Sequence, residues 1–209
     1  MTFVENIFVL LAAPLLACLP FVRGRSRVMA ISILCGMTCC LLSAYVNAFF
    51  IGRVGVGEVT GAVEVAPVVE ETIKLLPILF YLLVLEPQVE DAELAIVAVS
   101  VPVGFATLES GLYLATGELS TPAILALRGL GTSMMHLTSG VLVGYGLTRV
   151  WTRPWLKVAG TTGLLCLAMT FHGLYNVLVA AGGAAQVVAV CLPAMTLASM
   201  LLVRLKRRG

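Results

Sequence analysis

Five ionisable residues lie within hydrophobic stretches of the chain, and their side chains suit water activation, metal binding or proton transfer. They are Glu70, Glu71, Glu109, His136 and His172, and the two histidines are the whole histidine content of the sequence. Placing a carboxylate or an imidazole in hydrocarbon costs about 2.5 kcal/mol or more. An apolar helix does not need such groups to form, so we interpret them as candidate catalytic residues.

The paired glutamates have a basic neighbour on the same stretch. Lys74 stands four residues after Glu70 and three after Glu71, and both spacings bring side chains together on a helix. The spacing predicts that Lys74 neutralises one carboxylate and leaves the other for chemistry. Taken alone, a Glu70–Lys74 pair would also suit a purely structural ion pair within the membrane.

Two further polar residues are predicted to support the site. Asn176 follows His172 by four residues, so an imidazole and an amide donor share one helix face. Arg128 precedes His136 by about two helical turns and lies on roughly the same face.

Peptide hydrolysis is one reaction that these groups could perform. It requires an activated water molecule and donors that stabilise the developing oxyanion. Glu70 or Glu71 could polarise water together with a histidine, while His136, His172 or Asn176 could donate to the oxyanion.

A metal ion is the alternative means of activating water. Glu71, His136 and His172 would then hold zinc, because two histidines and one glutamate with an open position form a known catalytic set. Lys74 competes for the carboxylates, so the sequence favours a metal-independent site with no cofactor, and zinc is the rival expectation.

The elements that position these residues are predicted to be transmembrane helices. The 209 residues are 60% hydrophobic and 11% charged, against roughly 25% charged residues in a soluble domain. This composition predicts an all-α polytopic bundle of about seven spans, forming one integral-membrane domain over residues 1–209. The predicted spans are 6–22, 28–51, 59–85, 92–116, 122–149, 156–181 and 184–203. The Gly182–Gly183 gap carries no charge, so the last two spans could instead form a broken hairpin.

Charge placement predicts the orientation of the bundle. Ten of the 13 basic residues fall in loop 23–27, loop 149–157 and the C-terminal stretch, which lie on one side if seven spans alternate. The positive-inside rule then places the C-terminus in the cytoplasm and the N-terminus outside. With this orientation, Glu70, Glu109, His136 and His172 fall at similar depth, in a slab roughly 10 Å thick near the midplane.

Four motifs resemble those of the PrsW-type intramembrane proteases, of the CAAX protease and bacteriocin-processing superfamily. Glu70-Glu71-Thr-Ile-Lys74 resembles an EExxK signature, and Phe105-Ala-Thr-Leu-Glu109 resembles an FxxxE motif. His136 in HLTSG and the stretch from His172 to Asn176, an HxxxN pattern, resemble two later histidine motifs. Lys74 and Glu109 favour the PrsW-like branch over the CAAX prenyl endopeptidases, and the motif core covers 67–176.

The resemblance implies an intramembrane endopeptidase in a bacterial or archaeal cell membrane. Its expected partners are the lipid bilayer and a membrane-tethered protein substrate, such as a single-span protein resembling an anti-sigma factor, and no nucleic acid is expected. The alternative class is a proton-coupled transporter or a non-catalytic membrane scaffold that uses the same buried groups. Transporters often carry internal repeats, and the sequence has no clear one.

Overall fold

The computed structural model describes residues 4–85, 91–115, 122 and 126–206, and these residues form helices. In chain order they are α1 (Val4–Cys18), α2 (Gly24–Val54), α3 (Glu58–Thr60), α4 (Ala66–Leu85), α5 (Asp91–Ala115), α6 (Ser133–Val150), α7 (Lys157–Ala181) and α8 (Ala184–Lys206). Two π-helical turns, Gly61–Val65 and Ala126–Thr132, precede α4 and α6, and the 3₁₀ turn Pro154–Leu156 precedes α7. The described residues contain no strand, which confirms the predicted all-α class.

The predicted segments agree with the helices to within a few residues. Those that coincide with one helix are 6–22, 28–51, 92–116, 156–181 and 184–203. Segment 59–85 consists of most of α3, the first π turn and α4 in succession. Segment 122–149 covers the second π turn and α6, and residues 123–125 of it lie outside the described residues.

The number of membrane spans is only partly supported. Among the described residues, the helices long and apolar enough to cross a bilayer are Gly24–Val54, Ala92–Ala115, Pro154–Ala181 and Ala184–Val203. Helix α1 is apolar but shorter. Helix α4 is apolar and 20 residues long, but it carries the three charged residues Glu70, Glu71 and Lys74 and is not among these candidates. The structure therefore supports four candidate spans, and the predicted count of about seven is not confirmed.

Helix α4 buries its charges and exposes its apolar side chains. Glu71 and Lys74 are only 4% and 3% exposed, whereas Val68, Leu76 and Phe80 are between 50% and 67% exposed. The three apolar residues lie eight and four positions apart, about two turns and one turn of helix, and therefore share roughly one helix face. A soluble protein has the opposite arrangement, so this face is suited to lipid and the polar face to the bundle interior.

Helix α5 is the centre of the bundle and packs against α1, α2, α4 and α6. Its crossing with α2 is close because each helix contributes a glycine. A Cβ atom on Gly36 would overlap the carbonyl oxygen of Val101, and one on Gly104 would overlap that of Ile33. Small residues of this kind let the backbones of membrane helices approach closely.

Helix α6 also packs on α5, through the predicted small-xxx-small pattern. Gly140 faces the ring of Pro102 and the carbonyl oxygen of Ala98, and Gly144 faces the side chain of Ala98. Pro102 has no N–H to bond that carbonyl one turn earlier. The pattern brings His136, one turn before Gly140, against α5.

The first π turn has a local cause in Pro67. Within this turn, the N–H of Ala66 bonds to the carbonyl of Gly61, five residues earlier. The next acceptor in that pattern is the carbonyl of Ala62, whose partner would be the nitrogen of Pro67, which carries no hydrogen. The Ala62 carbonyl is thereby left without a helical donor, next to the start of the helix that holds the paired glutamates.

Candidate active site

Helix α4 contributes two glutamates and a lysine to one buried cluster. The Nζ atom of Lys74 lies 2.5 Å from Oε1 of Glu71, so the ion pair forms between residues three positions apart. Glu70 points elsewhere, and its Oε1 accepts a hydrogen bond from Nδ2 of Asn47 at 3.2 Å. As the sequence predicted, Lys74 engages one of the two carboxylates.

Helix α7 brings His172 against both glutamates. Its Nδ1 lies 2.8 Å from Oε1 of Glu71, and its Nε2 lies 3.9 Å from Oε2 of Glu70. A carboxylate can only accept hydrogen bonds, so Nδ1 carries the proton and donates to Glu71. In the neutral ring, Nε2 then presents its lone pair on the side of Glu70.

Helix α6 places His136 on the other side of Lys74. Its Nδ1 is 2.8 Å from Nζ of Lys74, and its Nε2 is 2.6 Å from Oε2 of Glu109 on α5. Because an ammonium group can only donate, Nδ1 accepts and Nε2 donates to the carboxylate. The imidazole is fully buried and packs against the rings of Phe105 and His172, with centroids 4.9 and 5.0 Å away.

These contacts form a continuous row of polar groups across four helices. The row runs from Glu109 through His136, Lys74 and Glu71 to His172. Every neighbouring pair in it is a charge-assisted hydrogen bond, and such bonds are stronger and more directional than neutral ones. The row therefore fixes the orientation of both imidazoles within the apolar bundle. Glu70 lies beside its end, near His172.

The predicted supporting residues have different positions. The Nδ2 atom of Asn176 donates to the carbonyl of Ala62 at 2.8 Å, so this amide supports the π turn instead of pointing into the row. Arg128 lies in the second π turn, and its side chain is outside the described residues. Asn47, which contacts Glu70, was missed by the sequence analysis, although an asparagine within the apolar stretch AYVNAFF was a signal for it.

Three residues bring metal-binding atoms close together. Single donor atoms of Glu70, His136 and His172 all lie within 4.8 Å of one another, and all three residues are buried. This set differs from the zinc set that the sequence suggested, which contained Glu71. The reason is that Oε1 of Glu71 already bonds Lys74 and His172, whereas among the described residues Oε2 of Glu70 has no hydrogen-bond partner.

The family is decided by a comparison with known proteins. A model described as the PrsW family intramembrane metalloprotease matches residues 24–203. The chain belongs to the PrsW family. A PrsW-family protein is an intramembrane protease, which supports the enzyme class over the transporter or scaffold alternative. No curated protein and no solved structure matched the chain significantly.

Membership in the PrsW family also bears on the cofactor. The family is described as metalloproteases, and the Glu70, His136 and His172 cluster of this member could hold a metal ion. The metal-independent site that the sequence favoured is therefore not supported. The unpartnered oxygen of Glu70, facing the imidazole of His172, fits a metal ligand, because a buried carboxylate oxygen without a donor is costly.

Proposed function

We propose that this PrsW-family protein hydrolyses a peptide bond in a membrane-tethered protein substrate. The observation that carries the proposal is the row of charge-assisted contacts that joins Glu109, His136, Lys74, Glu71 and His172 across four helices. A purely structural ion pair would need only two partners, whereas this row has five. Its two oriented imidazoles and the unpartnered carboxylate oxygen of Glu70 beside it are the kinds of group that catalyse hydrolysis.

Glu70, His136 and His172 are the proposed metal-holding residues. A bound metal ion would supply Lewis-acid polarisation of a water molecule and of the scissile carbonyl group. Glu71 positions His172 through Nδ1, which is the common arrangement behind a metal-binding histidine. His136 would replace one of its two present hydrogen bonds on binding a metal. Metal ligands that come from separate helices must be held rigidly. The hydrogen bonds of the row would hold the two histidines in place before a metal ion binds.

Glu109 is the proposed acceptor of the proton from the attacking water. Glu71 bonds Lys74 and His172, and Glu70 belongs to the metal-holding set, whereas Glu109 can receive a proton at the Oε2 atom that now accepts from Nε2 of His136. Glu70 and Glu109 both line a cavity of about 170 Å³, which is large enough to hold water beside both carboxylates. In the reaction, the hydroxyl of water adds to the carbonyl carbon and Glu109 passes the proton to the leaving amine nitrogen.

Lys74 and Asn176 are proposed as positioning residues. Lys74 holds Glu71 and His136 at the same time, with its Nζ atom 2.5 and 2.8 Å from their nearest atoms. Asn176 fixes the π turn that leads into α4, through the carbonyl of Ala62. Neither side chain has to contact the substrate to be required for activity.

The membrane arrangement remains our proposal from charge placement. The bundle crosses the membrane about seven times as a single domain, with the N-terminus outside and the C-terminus in the cytoplasm. Glu70 lies near the start of α4 and Glu109 near the end of α5, so both would lie toward the outer side. We expect the scissile bond in the outer half of a single-span substrate, such as an anti-sigma-factor-like protein. Labelling of a C-terminal tag in intact cells would contradict this orientation.

Co-expression in cells tests the proposed function. The protein is expressed with a panel of tagged single-span membrane proteins, and cleavage products are compared between the wild type and His172→Ala. We expect a shortened product with the wild type and none with the variant, at equal amounts of membrane-inserted protein. Equal cleavage by both, or no cleavage of any panel member, would contradict the proposal.

A further inference from the structure

The cavity beside Glu70 contains polar atoms that the proposed chemistry does not use. It has a volume of about 170 Å³ and lies among α2, α4 and α5. Ser43 and Asn47 of α2 form part of its wall, together with Glu70 and Phe105. Ser43 is 1% exposed, so its hydroxyl group belongs to the interior of the bundle and not to its lipid-facing surface.

Three side-chain atoms in this wall lack hydrogen-bond partners. Within the part of the chain that the structure describes, the buried side-chain atoms without a partner are Oγ of Ser43, Oδ1 of Asn47 and Oε2 of Glu70. All three residues line the same cavity. A buried polar atom without a partner is destabilising, because it has lost its hydrogen bonds to water without replacing them. Their convergence on one open space indicates that a ligand group completes their hydrogen bonds.

Glu70 Oε2 belongs to the proposed metal-holding set, so Ser43 and Asn47 select the kind of group. Asn47 Oδ1 can only accept hydrogen bonds, and Ser43 Oγ can accept or donate. The ligand group must therefore carry a donor. The rest of the wall includes apolar Ala44, Phe105 and Leu112, which suits the carbon part of a side chain. The volume is close to that of an engineered cavity of about 150 Å³ that accommodates benzene, so a whole amino-acid side chain fits.

We propose that this cavity is a substrate subsite that takes an uncharged side chain with a hydrogen-bond donor, a hydroxyl or amide side chain next to the scissile bond. Ser43 and Asn47 are its specificity-determining residues. The proposal rests on the proposed function, because Glu70 links the subsite to the metal-holding residues. Asn47 has two roles here, since its Nδ2 also donates to Glu70 Oε1. Ser43 acts on the substrate alone and is therefore the cleaner residue to test.

The test compares substrate variants with purified wild-type protein in detergent. The set starts from one substrate that the protein cleaves. Each position that flanks the scissile bond is replaced in turn by threonine, by its near-isostere valine, by serine and by alanine. We expect one position at which threonine gives a kcat/KM at least about tenfold higher than valine, because valine leaves the buried acceptors unpaired. Lysine at this position should be cleaved more slowly than threonine, because its ammonium group loses its hydration in the cavity.

The Ser43→Ala variant should reduce this preference to about threefold or less, chiefly by slowing cleavage of the threonine substrate. Ser32→Ala is the matched control, because Ser32 is also buried on α2 but does not line the cavity. It should retain the full preference.

Ala44→Leu is a second variant that fills the cavity, and it should slow cleavage of glutamine-containing substrates more than of serine-containing ones. Thermal unfolding verifies that each variant is folded.

The two proposals fail in distinguishable ways. If the wild type cleaves substrates without a threonine preference at any position, or if Ser43→Ala keeps the preference, the cavity holds only water and the subsite is refuted. The proposed function then stands. If the wild type cleaves no membrane-tethered substrate, both proposals are overturned.

Discussion

The Nδ1 atom of His172 lies 2.8 Å from Oε1 of Glu71, although the two residues are 101 positions apart in the chain. This contact fixes which nitrogen of the imidazole carries the proton and turns Nε2 toward Glu70. The same carboxylate oxygen accepts from Lys74 at 2.5 Å. Glu71 is therefore the residue at which the ion pair within α4 meets the imidazole of α7, and the two adjacent glutamates have different partners.

The two glutamates should differ when each is replaced. Glu70→Gln and Glu71→Gln should both abolish cleavage, but only Glu71→Gln should lower stability strongly. It leaves the ammonium group of Lys74 without a carboxylate, and removing one partner of a buried pair costs about 3–5 kcal/mol. Glu70→Gln should cost less than about 1.5 kcal/mol, because glutamine can still accept from Asn47. Unfolding in detergent measures both values, and equal losses would contradict the assignment.

Metal content provides a test that does not depend on activity. We expect one transition-metal ion per chain in purified wild-type protein, with zinc as the expected ion. Glu70→Ala and His172→Ala should each weaken binding at least about tenfold, because each removes a ligand. Glu64→Gln is the control, since Glu64 is an exposed residue of the first π turn. Elemental analysis and metal titration give the result. Full activity after exhaustive chelation, with no bound metal, would refute the metal-holding set.

The sequence predicted the all-α class, most helix positions and the residues that converge, although only four of the about seven predicted spans are supported. Hydropathy defined the segments, and the burial cost of ionisable groups singled out Glu70, Glu71, Glu109 and the two histidines. Their common depth predicted that they share one slab, and the contacts between them now join four helices.

The partner of each group could not be predicted in the same way. Helical spacing allowed Lys74 to pair with either glutamate, and only the structure shows that it bonds Glu71 and His136 while Glu70 bonds Asn47. Asn176 shares a helix face with His172, yet its amide reaches the carbonyl that Pro67 leaves unpaired. That acceptor arises from the π turn, which a periodic pattern does not reveal. Tertiary neighbours decide such contacts, and one sequence does not contain them.

The π turn predicts a specific pair of stability effects. Asn176→Ala should lower the free energy of unfolding by about 1–3 kcal/mol, because the Ala62 carbonyl loses its donor. Adding Pro67→Ala should recover part of this loss, since an alanine N–H can bond the helix carbonyls that proline cannot. If Asn176 were solely an oxyanion donor, Asn176→Ala would reduce kcat without changing stability. Unfolding curves of the single and double variants distinguish the two roles.

The close crossing of α2 and α5 should be sensitive to one methyl group. Gly36→Ala places a Cβ against the carbonyl oxygen of Val101 and should destabilise the bundle by about 1–3 kcal/mol. Among the described residues, a Cβ on Gly52 of the same helix would have no neighbouring atom within 4 Å, so Gly52→Ala should have no such cost. Thermal unfolding of both variants provides the comparison. A stable Gly36→Ala variant would mean that the two helices are further apart than described.

The central claim is that buried Glu and His residues direct water to a peptide bond, and oxygen-isotope labelling tests it most directly. Purified protein in detergent is incubated with a single-span substrate in water enriched in ¹⁸O, and the products are analysed by mass spectrometry. We predict one internal cleavage, with one ¹⁸O atom in the new carboxylate, and no product from Glu70→Gln or Glu109→Gln. Cleavage at the wild-type rate by both variants, or a new carboxylate without ¹⁸O, would contradict the account.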